Sequence, residues 1–328
     1  MHAIEAAALT RTYGKNTVVD GVDLLVPPGQ VHAVLGPNGS GKTTTVRMLA
    51  TLARPTSGRA AIGGFDTVRQ ADSAKRQLGL VGQFHAVDPR LTGRQNLVLL
   101  ARLNGFRVAE ARRHAGELLD RFDLADAADR VVRTYSGGMR RRLDIVAGMI
   151  VRPAVLFLDE PTTALDPHSR NEIYSYIRDF VAKGTTVLLT TQYLDEAQRL
   201  ADAITILEAG RVVAAGTPEQ ILAVVPAGLD LVVDDPLRYD EVAAVLAGFG
   251  GSPSDSPPAQ RHSPMELSFA FAGDAPGLLA VLRALEAADI AVRDIGTRAT
   301  TLDDAFLALT GRDRVGVASE TSGNEVPA

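Results

Sequence analysis

A chain of 328 residues is longer than one ordinary domain, and with 46% hydrophobic against 22% charged residues it has the balance of a folded globular protein. A net charge of −5 leaves no basic footprint for nucleic acid, so no nucleic-acid partner is expected. The lack of cysteine removes disulfides, thiolate metal sites and cysteine nucleophiles together, as suits a reducing compartment.

Over the first 222 residues, short apolar runs alternate with helix-period segments, the pattern of an α/β domain with a largely parallel sheet. The runs at 31–35, 78–81, 155–158, 186–190 and 204–207 are predicted core strands, several of them apolar on both faces. Between residues 86 and 150 the pattern changes: Ala111, Ala115, Leu118 and Phe122 recur at helical spacing behind a face carrying Arg112, Arg113 and Glu117. That stretch reads as a helical subdomain inserted into the α/β domain. From 228 to 311 the chain restarts as a small α+β domain, with strands at 229–233, 265–271 and 290–295, helices at 239–246 and 302–309, and between the last two strands an amphipathic helix carrying Leu278, Val281, Leu282 and Leu285. A loop rich in Pro and Ser at 250–264 interrupts it, and the polar tail 312–328 is expected to be disordered. No apolar run reaches the roughly 18 residues that span a bilayer, so a membrane role would run through a partner.

The chemistry begins directly after the first core strand. Gly36, Pro37, Asn38, Gly39, Ser40, Gly41, Lys42 and Thr43, followed by Thr44 in a helix, form a strand–loop–helix phosphate loop. Its backbone amides and the helix N-terminus suit the phosphates of ATP, Lys42 suits their β/γ charge, and the Thr43 hydroxyl suits Mg²⁺. Asp159 ends an apolar strand, where a carboxylate is costly to bury without a cation, and therefore reads as a Mg²⁺ partner. Glu160, the next residue, is placed to act as general base toward water. The Ser136-Gly137-Gly138 turn opens a helix, and its amides and the Ser136 hydroxyl suit a γ-phosphate. Arg140, Arg141 and Arg142 behind it read as a solvated helix face with no role in a site.

In this order and at these spacings, the motifs resemble those of the nucleotide-binding subunit of an ATP-binding cassette (ABC) transporter, a P-loop NTPase. The resemblance implies that two copies pack head to tail, with ATP between the phosphate loop of one and Ser136–Gly138 of the other. It further implies that Gln83 contacts Mg²⁺ or the attacking water, and that Tyr13 stacks on adenine. Asp166, in Ala164-Leu165-Asp166, would run along the dimer interface, although a helix cap before Pro167 or plain packing of Tyr13 stays open from the residues alone. Where the family usually places a switch histidine this chain has Gln192, which can hydrogen-bond a phosphate but cannot carry charge, so Glu160 carries more of the expected catalysis.

A narrower resemblance comes from residues 135–143, 189–197 and 301–311, which are similar to the daunorubicin/doxorubicin-resistance type of export ATPase, with no likeness in 250–264. It implies an ATP-hydrolysing subunit at the cytoplasmic face of the membrane, energising a separate permease docked near residues 83–96, with a drug or secondary metabolite as cargo. A lipid, polysaccharide or peptide exporter, a nucleotide-gated interaction module and a soluble regulatory ABC ATPase are the alternatives.

Overall fold

The protein is described by a computed structural model covering residues 2–82, 86–224, 228–233, 235, 238–249, 252–253, 266–270, 275–298 and 301–310. Expectations for Gln83, for most of the loop 250–264 and for the tail 312–328 lie outside these residues. The chain divides into two units, Met1–Pro218 and Glu219–Ala328.

The first unit runs β1 (Ile4–Tyr13), β2 (Asn16–Val26), β3 (Val31–Leu35), α1 (Lys42–Leu49), β4 (Ser57–Ile62), β5 (Phe65–Asp66), α2 (Ala71–Gln77) and β6 (Leu78–Val81). Three helices follow, α3 (Gly93–Leu103), α4 (Val108–Arg121) and α5 (Gly137–Gly148). The unit then closes with β7 (Val155–Asp159), α6 (Pro167–Ala182), β8 (Thr186–Thr191), α7 (Leu194–Leu200), β9 (Ala203–Glu208) and β10 (Arg211–Gly216), and α8 (Pro218–Leu222) lies at the boundary.

The main sheet has the order β10-β9-β3-β8-β7-β6. Its β9, β3, β8, β7 and β6 are parallel, and β10 pairs antiparallel at the edge. Every residue of β3, β7 and β8 is buried, which is why these strands read as continuous apolar runs. His32 on β3 is among them, its Nε2 2.8 Å from Thr205 Oγ1, and burial pulls its pKa down to about 4.

A second sheet, β2-β1-β4-β5, is antiparallel throughout and was not expected from the sequence. Its alternation is broken by register shifts in β1 between Ala6 and Leu9, between Leu9 and Arg11 and between Arg11 and Thr12. Helix α1 packs against β1, β2 and β4 of this sheet and against β7 of the main one. Its Val46, Met48 and Leu49 are buried with Ile4, Leu9, Val22 and Phe157, each large side chain contributing about 1.5–3 kcal/mol relative to exposure. The loop that opens α1 is therefore anchored to a helix gripped by both sheets.

Helices α3–α5 fall between β6 and β7 in the chain. Thr92 and Gln95 form a reciprocal capping box at the start of α3. Ala111, Ala115, Leu118 and Phe122 are buried, while Arg112, Arg113 and Glu117 face solvent.

The second unit contains β11 (Gly228–Val233), α9 (Tyr239–Ala247), β12 (Ser252–Pro253), β13 (Glu266–Ala270), α10 (Ala275–Ala287), β14 (Val292–Arg298) and α11 (Leu302–Thr310). Its antiparallel sheet has the order β12-β13-β11-β14, and Leu229, Leu231, Val242, Leu246, Val281 and Leu285 form its core. Ser252–Pro253, expected within a loop, instead pairs with Ala270 and Phe269.

Candidate nucleotide site

The phosphate loop joins the C-terminal end of β3 to α1. Gly39 at φ 82° and Gly41 at φ 101° hold left-handed backbone, and a Cβ at Gly41 would sit 2.8 Å from the Val18 carbonyl oxygen. At Gly36 a Cβ would lie 2.3 Å from the Leu207 carbonyl oxygen, so this turn admits no side chain. A cleft of about 160 Å³ opens over the loop, lined by Val18, Asn38, Gly39, Gly41–Thr44 and Glu160. The Ser40 hydroxyl is buried without a hydrogen-bond partner among the described residues.

Lys42 Nζ donates to the carbonyl oxygens of Gly36 at 2.8 Å and Pro37 at 3.0 Å, and stands 3.8 Å from Glu160 Oε1. Burial lowers the pKa of this ammonium, and the negative charges of Glu160 and Asp159 oppose the shift. Thr43 Oγ1 donates to Asp159 Oδ1 at 3.2 Å. Thr190 Oγ1, from the neighbouring strand β8, donates to the same oxygen at 2.5 Å. Asp159 and Thr43 thus present two hard oxygen ligands at the edge of the cleft. Among the described residues no group of three or more His, Cys, Asp or Glu could hold a metal. That donor set fits Mg²⁺, which keeps water and substrate phosphate oxygens as most of its ligands.

Glu160 follows β7 with φ 49°, an uncommon conformation for a side-chain-bearing residue. Its N–H donates to the Thr190 carbonyl and to Thr190 Oγ1, both at 3.1 Å, and its Oε2 accepts from Thr163 Oγ1 at 3.3 Å. The left-handed turn sends its carboxylate to the cleft rather than along the strand.

Ser136 caps α5, its Oγ accepting from the Met139 N–H at 3.2 Å. The helix starts at Gly137, so both glycines of the turn lie in its first turn. A Cβ on Gly138 would stand 2.5 Å from Ser169 Oγ. That hydroxyl donates to Asp166 Oδ2 at 2.7 Å, while Asp166 Oδ1 accepts from the Ser169 N–H at 2.9 Å and caps α6. These hydrogen bonds hold the Asp166 carboxyl below the usual carboxylate range.

Gln192 is half-buried just beyond β8, next to Thr191, whose carbonyl accepts from the Gly36 N–H at 3.3 Å. Tyr13, at the end of β1, is 46% exposed with the Arg11 guanidinium 4.4 Å above its ring. Lys42, Thr43, Glu160 and the loop are therefore gathered at one cleft, with Asp159 joined to it through its hydrogen bond to Thr43, whereas Tyr13, Ser136–Gly138, Asp166 and Gln192 do not line it.

Arg141 corrects the expectation of a solvated arginine run. It is only 6% exposed, and its guanidinium donates to the carbonyl oxygens of Pro161 (2.8 Å), Gly82 (2.8 Å), Asp159 (3.2 Å) and Glu160 (3.2 Å). Arg142 also pairs, 3.5 Å from Glu172. Three successive residues point about 100° apart on a helix, so one of them turns inward. The spacing of Gly138, Arg141 and Ile145 along one buried face was the available signal.

A parallel sheet with a phosphate loop at the end of β3, beside a strand-terminal Asp-Glu pair and an inserted helical region, defines an ABC-class ATPase. Residues 19–163 match the ABC transporter family. The chain is 47% identical over 313 residues to the Daunorubicin resistance ATP-binding protein DrrA2 of Streptomyces coeruleorubidus, covering 94% of this chain and 95% of that protein. It is 44% identical to the Daunorubicin/doxorubicin resistance ATP-binding protein DrrA of Streptomyces peucetius, covering 98% and 97%. It is also 37% identical to the Nod factor export ATP-binding protein I of Paraburkholderia xenovorans, covering 95% and 98%.

Among solved structures, an ATP-binding subunit of an ABC transporter matches with TM-score 0.62 at 30% identity, over 67% of this chain and 92% of that one. A dimeric ATP-binding cassette in a post-hydrolysis state, bound to ADP and Pi, matches with TM-score 0.60 at 26% identity, over 65% and 98%. The protein belongs to the ABC transporter ATP-binding subunits of the daunorubicin/doxorubicin-resistance type. It binds ATP and is an ATPase.

Proposed function

We propose that this ATPase energises export of a drug or secondary metabolite through a separate integral-membrane permease, working as a head-to-tail dimer at the cytoplasmic face. The supporting observation is Glu160, turned by its left-handed backbone into the phosphate-loop cleft and 3.8 Å from Lys42. The relatives named for daunorubicin resistance favour a drug as cargo. The Nod factor export relative supports a second reading, in which the same motor serves a different exported molecule. No helix among the described residues is long and apolar enough to cross a membrane, so the proposal gives the translocation path to the permease. A docking surface near residues 83–96 would extend along the exposed Leu99 and Leu103 of α3.

In this reading the loop amides and Lys42 hold the ATP phosphates. Asp159 and Thr43, with Gln83, would hold Mg²⁺, which when bound neutralises phosphate charge. Glu160 takes a proton from water as the water oxygen bonds to the γ-phosphorus. The bond from phosphorus to the β–γ bridging oxygen breaks, and ADP leaves with that oxygen. Gln192 hydrogen-bonds the γ-phosphate, and Ser136, Gly137 and Gly138 of the second copy close over it beside Asp166. Tyr13 stacks on adenine.

Glu160→Gln should retain ATP binding and lose on the order of 100-fold in turnover, the lower range for a general base. Wild-type hydrolysis by that variant would refute the assignment. Drug tolerance of cells co-expressing the chain with its permease partner, lost with Glu160→Gln, tests the export reading.

A further inference from the structure

We infer that Arg141 is a positioning residue for hydrolysis, holding Glu160 in its catalytic geometry from the helix that carries the Ser136-Gly137-Gly138 turn. The inference rests on the reading of Glu160 as the general base. Neither the charge run nor the match to the family assigns this residue a task.

The geometry is specific. Within the hydrogen bonds of one guanidinium lie the carbonyls of Asp159, Glu160 and Pro161, three consecutive residues spanning the point where β7 ends and the chain turns left-handed. A non-glycine residue at φ 49° is strained and persists only where its surroundings over-determine it. The Glu160 N–H is fixed from one side by Thr190, and the Glu160 carbonyl is fixed from the other by Arg141. Those two anchors fix the backbone from which the carboxylate projects, and Thr163 Oγ1 at 3.3 Å and Lys42 Nζ at 3.8 Å then hold the carboxylate itself.

Burying a guanidinium is expensive, and desolvation by burial lowers the pKa of Arg141. The nearby carboxylates Asp144, Asp159, Glu196 and Glu160 oppose that shift. Four carbonyl oxygens around one side chain suit the planar fork of a guanidinium, and an ammonium with three donors cannot reproduce it. The remaining bond, to the Gly82 carbonyl at 2.8 Å, ties the end of β6 to the same point. Asp144, one turn further along α5, accepts from the Ala86 N–H at 2.9 Å. One helix face therefore grips the turn that presents Glu160 together with Gly82 and Ala86.

The test compares Arg141→Met, Arg141→Gln and Arg141→Lys in the full-length chain, measuring ATP affinity with a fluorescent ATP analogue, steady-state kcat and KM, and the melting temperature. Misplacement of a catalytic group by about 1 Å costs on the order of 100-fold in rate, so Arg141→Met should lose about that in kcat with ATP affinity within about 3-fold of wild type. Arg141→Lys should recover part of kcat, and Arg141→Gln, which keeps two N–H donors, supplies the measurement if the methionine variant does not fold. A folded variant with wild-type kcat, or kcat and ATP affinity falling in equal proportion across all three, overturns the inference. Glu160→Gln with unchanged turnover would overturn the general-base reading and this inference together. An inactive Glu160→Gln beside a fully active Arg141→Met overturns the inference alone.

Discussion

Thr190→Val removes one oxygen from the site while keeping its shape. Thr190 Oγ1 donates to Asp159 Oδ1 at 2.5 Å and accepts from the Glu160 N–H at 3.1 Å, in a position with no solvent exposure. Valine fills the same volume, so no cavity term arises. The Glu160 N–H keeps its bond to the Thr190 carbonyl, and Asp159 keeps Thr43 at 3.2 Å. What is lost is one hydrogen bond to a carboxylate, worth about 1.5–3 kcal/mol. For the first unit that corresponds to a melting temperature lower by roughly 3–12 °C. Thr190→Ser keeps the hydroxyl and loses a methyl group, costing about 1 kcal/mol. Area burial alone would rank valine above serine at this buried position, and the hydrogen bond reverses that order. Urea denaturation followed by circular dichroism without nucleotide, using the transition that added ATP shifts, measures both variants. Valine equal to wild type, or more stable than serine, would refute the reasoning.

Two further outcomes follow from the same geometry. His32 has a folded pKa of about 4 against 6.5 unperturbed, so the folded state binds fewer protons between those values and stability falls as pH falls. Wild type should lose about 2–3 kcal/mol from this group between pH 7 and 4.5. In His32→Gln that component should vanish, and parallel urea-midpoint profiles for the two proteins would contradict it. Tyr13→Ala should weaken ATP binding roughly 2- to 10-fold while Tyr13→Phe leaves it unchanged, because stacking uses the ring and not the hydroxyl. Equal losses in equilibrium titrations of both variants would remove the stacking role.

The parallel strands were legible because β3, β7 and β8 are buried on both faces and therefore appear as unbroken apolar runs. The antiparallel sheet was not, since the irregular pairing of β1 interrupts the two-residue alternation by which a half-buried strand is recognised. Lys42, Thr43, Asp159 and Glu160 were legible for a different reason: their spacing along the chain reflects a strand, a loop and a helix start, each with local signals. The inward turn of Arg141 was signalled by its spacing from Gly138 and Ile145, but its partners were not, because they are backbone carbonyls at positions 82 and 159–161, which leave no trace in side-chain chemistry. The αL turn at Glu160 escaped likewise, since nothing in the residue type announces it.

Gly138 has a consequence for reading genetics. The space above its Cα is already taken by Ser169 Oγ, 2.5 Å from where a Cβ would stand, and that oxygen is itself held by Asp166. Replacing Gly138 with even alanine sets the start of α5 against the start of α6 before any nucleotide arrives. Loss of activity at position 138 therefore combines a clash with Ser169 inside one subunit and the loss of a residue proposed to meet the other copy's nucleotide, and a smaller residue at 169 would relieve only the first.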